Sequence, residues 1–318
     1  MRRLGASDIM VSPVVMGLWQ AGKEMWAGID DGEIRKSIRA AVDAGINAFD
    51  TAEMYGKGHS ERTLAAATAG IRDKVVYMTK VFSNHLAYDQ VITACDRSLA
   101  NLKTDRIDLY QIHWPSGSFG SRKVPLEETM RAMNDLKSRG KIRAIGVSNF
   151  SRAQIEEAAR FGSIDSLQPP YSLFWRQAER DALPYCAANG ITALAYSPMA
   201  QGILAGRFGA DPRFEKGDHR SSHRLFAPEI FPRVRQAVEQ LQPVAQRYGI
   251  TLAQLALAWV TSRPNTCAVA GARSPVQVVE NAGAMKVALT KADLEEMDAI
   301  SRTVTDRLDD NPVQWNFG

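Results

Sequence analysis

Ile107-Asp108-Leu109-Tyr110-Gln111-Ile112-His113 is a short, mostly apolar run of strand length that breaks off at a histidine, and the same figure recurs along the chain. Similar runs stand at 14–18 (Val-Val-Met-Gly-Leu), 48–49 (Ala-Phe), 75–78 (Val-Val-Tyr-Met) and 142–147 (Ile-Arg-Ala-Ile-Gly-Val). Others stand at 166–168 (Ser-Leu-Gln), 191–196 (Ile-Thr-Ala-Leu-Ala-Tyr) and 266–270 (Thr-Cys-Ala-Val-Ala). Between them, apolar residues recur at helical spacing: Ile34, Ile38, Ala41 and Val42 before Gly45; Val91, Ala94, Cys95 and Leu99; Leu126, Met130, Met133 and Leu136 before Gly140. Ser151-x-x-Gln154, Thr251-x-x-Gln254 and Ser274-x-x-Gln277 read as capping boxes, the last with Pro275 at the first helical position. Strands alternating with helices pair in parallel, and parallel strands covered on both faces read as unbroken apolar runs. Eight such repeats favour closure over an open sheet. The expectation is an α/β fold, a (β/α)8 TIM barrel of one domain over 1–318. An N-terminal β-hairpin at Leu4–Ile9, turning at Ser7-Asp8, and two extra helices are expected beside it.

The bulk numbers agree with one large core. Hydrophobic residues make up 45% of the 318 and charged residues 23%. The net charge of +4 suits a small anionic ligand, and the lysines and arginines are too scattered for a nucleic-acid surface. Cys95, Cys186 and Cys267 are few, odd in number and far apart, which points away from disulfides and towards a reducing compartment. Asp8 and Pro13 interrupt any leader-like stretch, and no run approaches the roughly 18 apolar residues of a membrane span. The expectation is a cytoplasmic protein without membrane contact.

Each apolar run gives way to polar residues. Asp50 ends the second, Lys80 the third and His113 the fourth; then come Ser148-Asn149, Gln168, Tyr196-Ser197 and Gly271-Ala272-Arg273. In such barrels the active site lies at the carboxyl ends of the strands, so these groups would share one mouth. Tyr55, five residues after Asp50, would stand on the loop just above. A phenol with an ordinary pKa near 10 is a weak acid at neutral pH, and an ammonium beside it would lower that value. Lys80 is the candidate ammonium, Asp50 would hold it charged, and His113 would polarise a carbonyl oxygen. Each residue alone has a plainer reading, as a turn cap, a solvated lysine, a loop aromatic or a structural histidine. Together they suit proton delivery to a carbonyl oxygen as hydride reaches its carbon.

These stretches resemble the aldo-keto reductases over roughly residues 1–303. The resemblance rests on Asp50-Thr51-Ala52-Glu53-Met54-Tyr55-Gly56, Gly58-His59-Ser60-Glu61, Thr79-Lys80, the run into His113, and Lys141 through Phe150. It implies NADPH-dependent reduction of aldehydes or ketones without a Rossmann fold, through a tetrad of Asp50, Tyr55, Lys80 and His113. It further implies that Ser148, Asn149 and Gln168 hold the nicotinamide carboxamide and that Tyr196 stacks under the ring. Trp19 would adjoin the cofactor. Ser197, Pro198, Met199, Gly202, Leu204 and Gly206 would lie along the pyrophosphate, with Gly271, Arg273, Gln277, Glu280 and Asn281 around the adenosine. Independently of the resemblance, Arg273 beside a helix starting at Ser274-Pro275 makes a phosphate site, favouring NADPH over NADH. The segment 199–229, with Gly202, Gly206, Gly209 and Pro212, reads as a cofactor-side lid. Rival readings are a nicotinamide-binding regulatory subunit, as in the potassium-channel β subunits that resemble this family, and an oxidative polyol or sugar dehydrogenase.

Trp19, Trp26, Phe82 and Trp114 flank strand ends and are expected to line a pocket for a small carbonyl substrate, since ligand sites are aromatic-rich. Trp259, on an apolar helix, reads as core. Trp315 would either fold over the mouth or stay loose. His59, His85, His219 and His223 read as surface or loop residues, and no histidine or carboxylate spacing suggests a metal. Oligomeric state is not legible.

Overall fold

A computed structural model describes residues 1–315 apart from Met25, Ala27 and Lys216. Eight parallel strands close into a barrel: β3 (Val14–Gly17), β4 (Ala48–Asp50), β5 (Val76–Val81), β6 (Ile107–Ile112), β7 (Ile142–Ser148), β8 (Ser166–Gln168), β9 (Thr192–Tyr196) and β10 (Thr266–Gly271). β10 pairs with β3 to complete the ring. Ahead of it lies a hairpin of β1 (Arg2–Arg3) and β2 (Met10–Val11). Its strands therefore flank Leu4–Ile9 instead of lying within it. The backbone N–H groups of Leu4 and Ser7 bond locally to Ile9 and Leu4, so this stretch is the turn itself.

Around the barrel run α1 (Asp31–Asp43), α2 (His59–Ala67), α3 (Tyr88–Leu102), α4 (Leu126–Ser138), α5 (Arg152–Ala159) and α6 (Ala182–Ala188). They continue as α7 (Phe231–Arg247), α8 (Leu252–Thr261), α9 (Pro275–Gly283) and α10 (Lys291–Thr305). Among the described residues this exceeds one helix per strand by two, as expected; α7 and α10 pack on one another. Ser151–Gln154 and Thr251–Gln254 form reciprocal capping boxes. Ser274 caps α9 by accepting from the Gln277 N–H, but the Gln277 side chain accepts from the Arg273 N–H instead, so that box is not reciprocal.

Two apolar layers follow the period of two along each strand. Val15, Ala48, Met78, Leu109, Ala144, Leu194 and Cys267 fill the barrel with Leu4, Ile9 and Val11 of the hairpin, which closes its amino-terminal end. Val14, Met16, Phe49, Tyr77, Tyr110, Ile145 and Val147 meet the helices, and Trp259 is buried on that side as expected. The inward register has a direct consequence at the other end. Two residues beyond Ala48, Met78 and Leu194 stand Asp50, Lys80 and Tyr196, so strands that are apolar inside deliver polar groups to the carboxyl-terminal mouth. Among the described residues, no helix is long and apolar enough to cross a membrane.

Candidate active site

The mouth opens into a cleft of about 480 Å³. Asp50 and Lys80 form a buried ion pair at its base. Lys80 Nζ donates to Asp50 Oδ1 at 2.5 Å and to the Thr51 carbonyl at 2.7 Å, and the lysine is 0% exposed. Asp50 Oδ2 also accepts from Gln168 Nε2 at 2.8 Å and Gln111 Nε2 at 3.1 Å. Burial lowers the Lys80 pKa and Asp50 opposes that drop.

Tyr55 lies over this pair, with Lys80 Nζ 5.1 Å from its ring centroid and the His113 ring 5.7 Å away, edge to face. Backbone approach fixes its loop: a Cβ on Gly22 would come within 2.7 Å of the Tyr55 carbonyl carbon, and Gly56 takes φ +61 against Gly22. The expectation that Lys80 depresses the phenol is not met. Burial pushes Tyr55 well above the usual 10, and the Asp50 carboxylate adds to the rise. Burial is the largest cause, and it outweighs any lowering by the Lys80 ammonium 5.1 Å from the ring centroid. His113 moves the other way, held well below 6.5 by burial and by Lys80. At neutral pH the site therefore presents a protonated phenol beside a neutral imidazole.

One wall is a hydrogen-bonded rack. Ser148 Oγ donates to the Gln168 carbonyl at 2.9 Å, Asn149 Nδ2 donates to the His113 carbonyl and to Ser148 Oγ at 3.0 Å each, and the Tyr196 hydroxyl donates to Asn149 Oδ1 at 2.9 Å. Asn149 and Ser197 hold left-handed backbone, φ 61 and 52, where non-glycine residues are uncommon. At the far end, Arg273 lies just before α9 and lines the same cleft as Gly271, Gln277, Glu280 and Asn281. Arg207 and Arg220 come close enough that their charges, after burial, lower the Arg273 pKa. Asp218 pairs with Arg220, Nε to Oδ1 2.9 Å, whereas among the described residues no ion pair involves Arg207 or Arg273. Converging guanidiniums with so little counter-charge fit a phosphate-bearing ligand.

The expected pocket residues Trp19, Trp26, Phe82 and Trp114 line the cleft, as do Pro198, Met199 and Gly202. Two expected cofactor contacts do not: Leu204 is buried in the core and Gly206 ends a short turn at φ 68, facing away. His219 and His223 lie on the 199–229 loop, as one half of their reading had it, but are buried instead of on the surface because that segment folds back onto the barrel. His219 packs 4.4 Å from Trp19 and 4.5 Å from Trp26, ring centroid to ring centroid. Trp315 folds over the mouth, nearly parallel to Tyr196 at 6.4 Å and 8°. Its approach is anchored by Arg224, whose N–H bonds the Gln314 carbonyl at 2.9 Å, and by Trp175, whose indole N–H bonds Pro312. Sequence reasoning missed Arg207, Arg220, His219 and Phe119 in the cleft. The arginines offered a signal, being the basic residues of the glycine-rich lid; Phe119 offered one in its place between Gly117 and Gly120.

The model of the Aldo/keto reductase family matches residues 13–302. The chain is 38% identical over 284 residues to the Aldo-keto reductase YhdN of Bacillus subtilis (strain 168), covering 86% of this chain and 84% of that protein. It is 35% identical to the NADH-specific methylglyoxal reductase of Escherichia coli (strain K12), over 91% and 94% of the two chains. Among solved structures, the glycerol dehydrogenase AKR11B4 from Gluconobacter oxydans superposes with a TM-score of 0.88 at 33% identity, covering 96% and 97%. An aldo-keto reductase from Klebsiella pneumoniae in complex with NADPH superposes with a TM-score of 0.72 at 30% identity, covering 97% and 95%.

Proposed function

The chain belongs to the aldo/keto reductase family, and from that premise we propose that it carries out NADPH-linked, reversible reduction of an aldehyde or ketone to an alcohol. The observation that carries this reading is the meeting of Tyr55 and His113 at the base of an aromatic-walled cleft, directly over the buried Asp50–Lys80 pair. When bound, the nicotinamide supplies hydride to the carbonyl carbon. Tyr55, kept protonated by burial, donates its proton to the carbonyl oxygen. His113, neutral, orients that oxygen through a ring N–H. Lys80 stabilises the negative charge that grows on the phenol oxygen as its proton leaves, and Asp50 holds Lys80 in place.

Ser148, Asn149, Gln168 and Tyr196 would seat the nicotinamide. Ser197 through Met199 and Gly202 would run along the pyrophosphate, with Gln277, Glu280 and Asn281 at the adenosine. Arg273 and the α9 amino terminus would take the 2′-phosphate, with Arg207 and Arg220 adding charge. The preference for NADPH rests on that arginine group; the Escherichia coli relative is NADH-specific by name, so the preference is the finer part of the reading. A cytoplasmic location belongs to it too, supported by three buried, unbridged cysteines. The test is stoichiometry: purified protein given NADPH and a panel of aldehydes should form one alcohol per NADPH oxidised. Tight NADPH binding with no alcohol from any carbonyl would favour the regulatory reading instead.

A further inference from the structure

Beyond the polar base, the cleft is shaped by rings, and one of them is held against its own backbone preference. Phe119 lies at φ 54, ψ 35, a left-handed conformation that bulky side chains avoid, in a turn flanked by Gly117 at φ 86 and Gly120 at φ 71. It is 55% exposed, so burial does not account for the choice of residue. Its ring stacks on Phe82 at 5.7 Å and 21°, and meets Trp114 edge-on at 5.1 Å. Phe82 in turn stands edge-to-face with His113 at 5.6 Å. A continuous aromatic wall thus runs from the imidazole to the rim, ending at Phe119. A second wall starts at Trp19, 6.4 Å from Tyr55, and continues through Trp26 and Trp315. Both walls line the one cleft.

Resting on the carbonyl-reduction reading, we infer that the substrate has a flat aromatic body, an aryl aldehyde or aryl ketone, and that Phe119 is the outer jaw that selects it. Rings along two walls of one cleft favour stacking on a planar apolar group and offer little to the hydroxyls of a polyol or a small hydrated carbonyl. This sets the cleft apart from the substrates named for two relatives, methylglyoxal and glycerol. A strained, exposed aromatic at a rim is the kind of local cost that persists where the side chain serves a ligand.

The test compares kcat/KM for 2-naphthaldehyde with that for methylglyoxal, using NADPH, in the native protein, Phe119→Ala and Phe119→Gly. The native protein should favour 2-naphthaldehyde by about tenfold or more, a ratio within reach of apolar pocket contacts. Both variants should lose about tenfold on 2-naphthaldehyde, chiefly through KM, and markedly less on methylglyoxal, so that the ratio of the two falls. Phe119→Gly, which suits the left-handed turn, should melt no lower than the native protein, separating a substrate role from a structural one. Equal use of the two carbonyls, or variants that keep the naphthyl preference, would overturn the inference while leaving carbonyl reduction standing. Titration calorimetry of 2-naphthylmethanol against the protein with NADPH, a pair in which both members are already reduced, reads the slot without turnover. About tenfold weaker binding to Phe119→Ala supports the jaw even where no carbonyl is reduced, and equal binding overturns it.

Discussion

The two ends of the barrel differ in how completely their polar groups are matched. At the amino-terminal floor, buried Asp108 accepts from the Tyr77 N–H at 2.8 Å and pairs with Arg72 at 2.9 Å and Arg143 at 2.8 Å, and Arg143 reaches Asp8 of the hairpin at 3.0 Å. Asp165 accepts from the Ile145 N–H at 3.0 Å and faces Lys137. Most turns there use glycine for left-handed backbone, Gly45, Gly70, Gly140 and Gly190 among them, with Lys103 and Asn265 as non-glycine exceptions. At the mouth, Trp26 Nε1, Gln111 Oε1 and His113 Nδ1 are buried without hydrogen-bond partners among the described residues. Left-handed backbone falls there on Phe119, Asn149, Ser197 and Gln201. A floor with matched charges serves stability, and a mouth with unmatched groups is arranged for a ligand.

The sharpest way to break that contrast is to cut one buried ion pair at each end. Lys80→Met and Asp108→Ala should each destabilise the fold by about 3 kcal/mol, because each leaves charge without its buried partner. Only Lys80→Met should also reduce kcat, by about 10²–10⁴-fold. Thermal melts beside single-turnover rates decide it; comparable loss of kcat in folded Asp108→Ala would dissolve the distinction. Arg273→Ala should weaken NADPH binding by about 10–100-fold and NADH binding far less, since a charge-assisted bond to the extra phosphate is what disappears. Equal losses, measured by fluorescence titration, would remove the 2′-phosphate from that site.

Smaller effects arise from protonation. Tyr55 keeps its proton to above pH 10, and His113 stays neutral to well below 6.5. The kcat for reduction should therefore be flat between about pH 6.5 and 9. A fall centred near pH 7 would place another titrating group in the proton-transfer step. Away from the chemistry, buried His223 is held down to about 3 and accepts from the Leu225 N–H through Nδ1. Its folded pKa lies below the unfolded value of 6.5, so the unfolded chain binds the extra proton first. Stability should fall as pH drops from about 6.5 towards 3, and His223→Asn should make that fall shallower by about 1.4 kcal/mol per pH unit. Denaturant midpoints at pH 7 and pH 5 measure it.

The sequence made the barrel legible because inward and outward positions alternate regularly and polar residues punctuate every strand end. Even the short runs at Ala48-Phe49 and Ser166–Gln168 are strands, since their neighbours supply the pairing they lack in length. The mouth was legible where side chains sit on strand ends, as with Asp50, Lys80, His113, Ser148 and Gln168. It was less so on loops. Arg207, Arg220 and His219 reach the cleft through a chain of short turns with left-handed Ser197, Ala200 and Gln201. No local propensity specifies that path; contacts with Trp19, Trp26 and the tail do. The sign of the Tyr55 shift was equally hidden, because burial and Asp50, not the distance to Lys80 alone, determine it.

The central claim is that Tyr55 delivers the proton in carbonyl reduction. The measurement that meets it most directly is the single-turnover rate of NADPH oxidation with an aryl aldehyde, native protein against Tyr55→Phe, with NADPH affinity and melting temperature taken on the same samples. If Tyr55 is the proton donor, the rate should fall by about 10²–10⁴-fold with affinity and stability preserved. A Tyr55→Phe protein that oxidises NADPH at the native rate would contradict it.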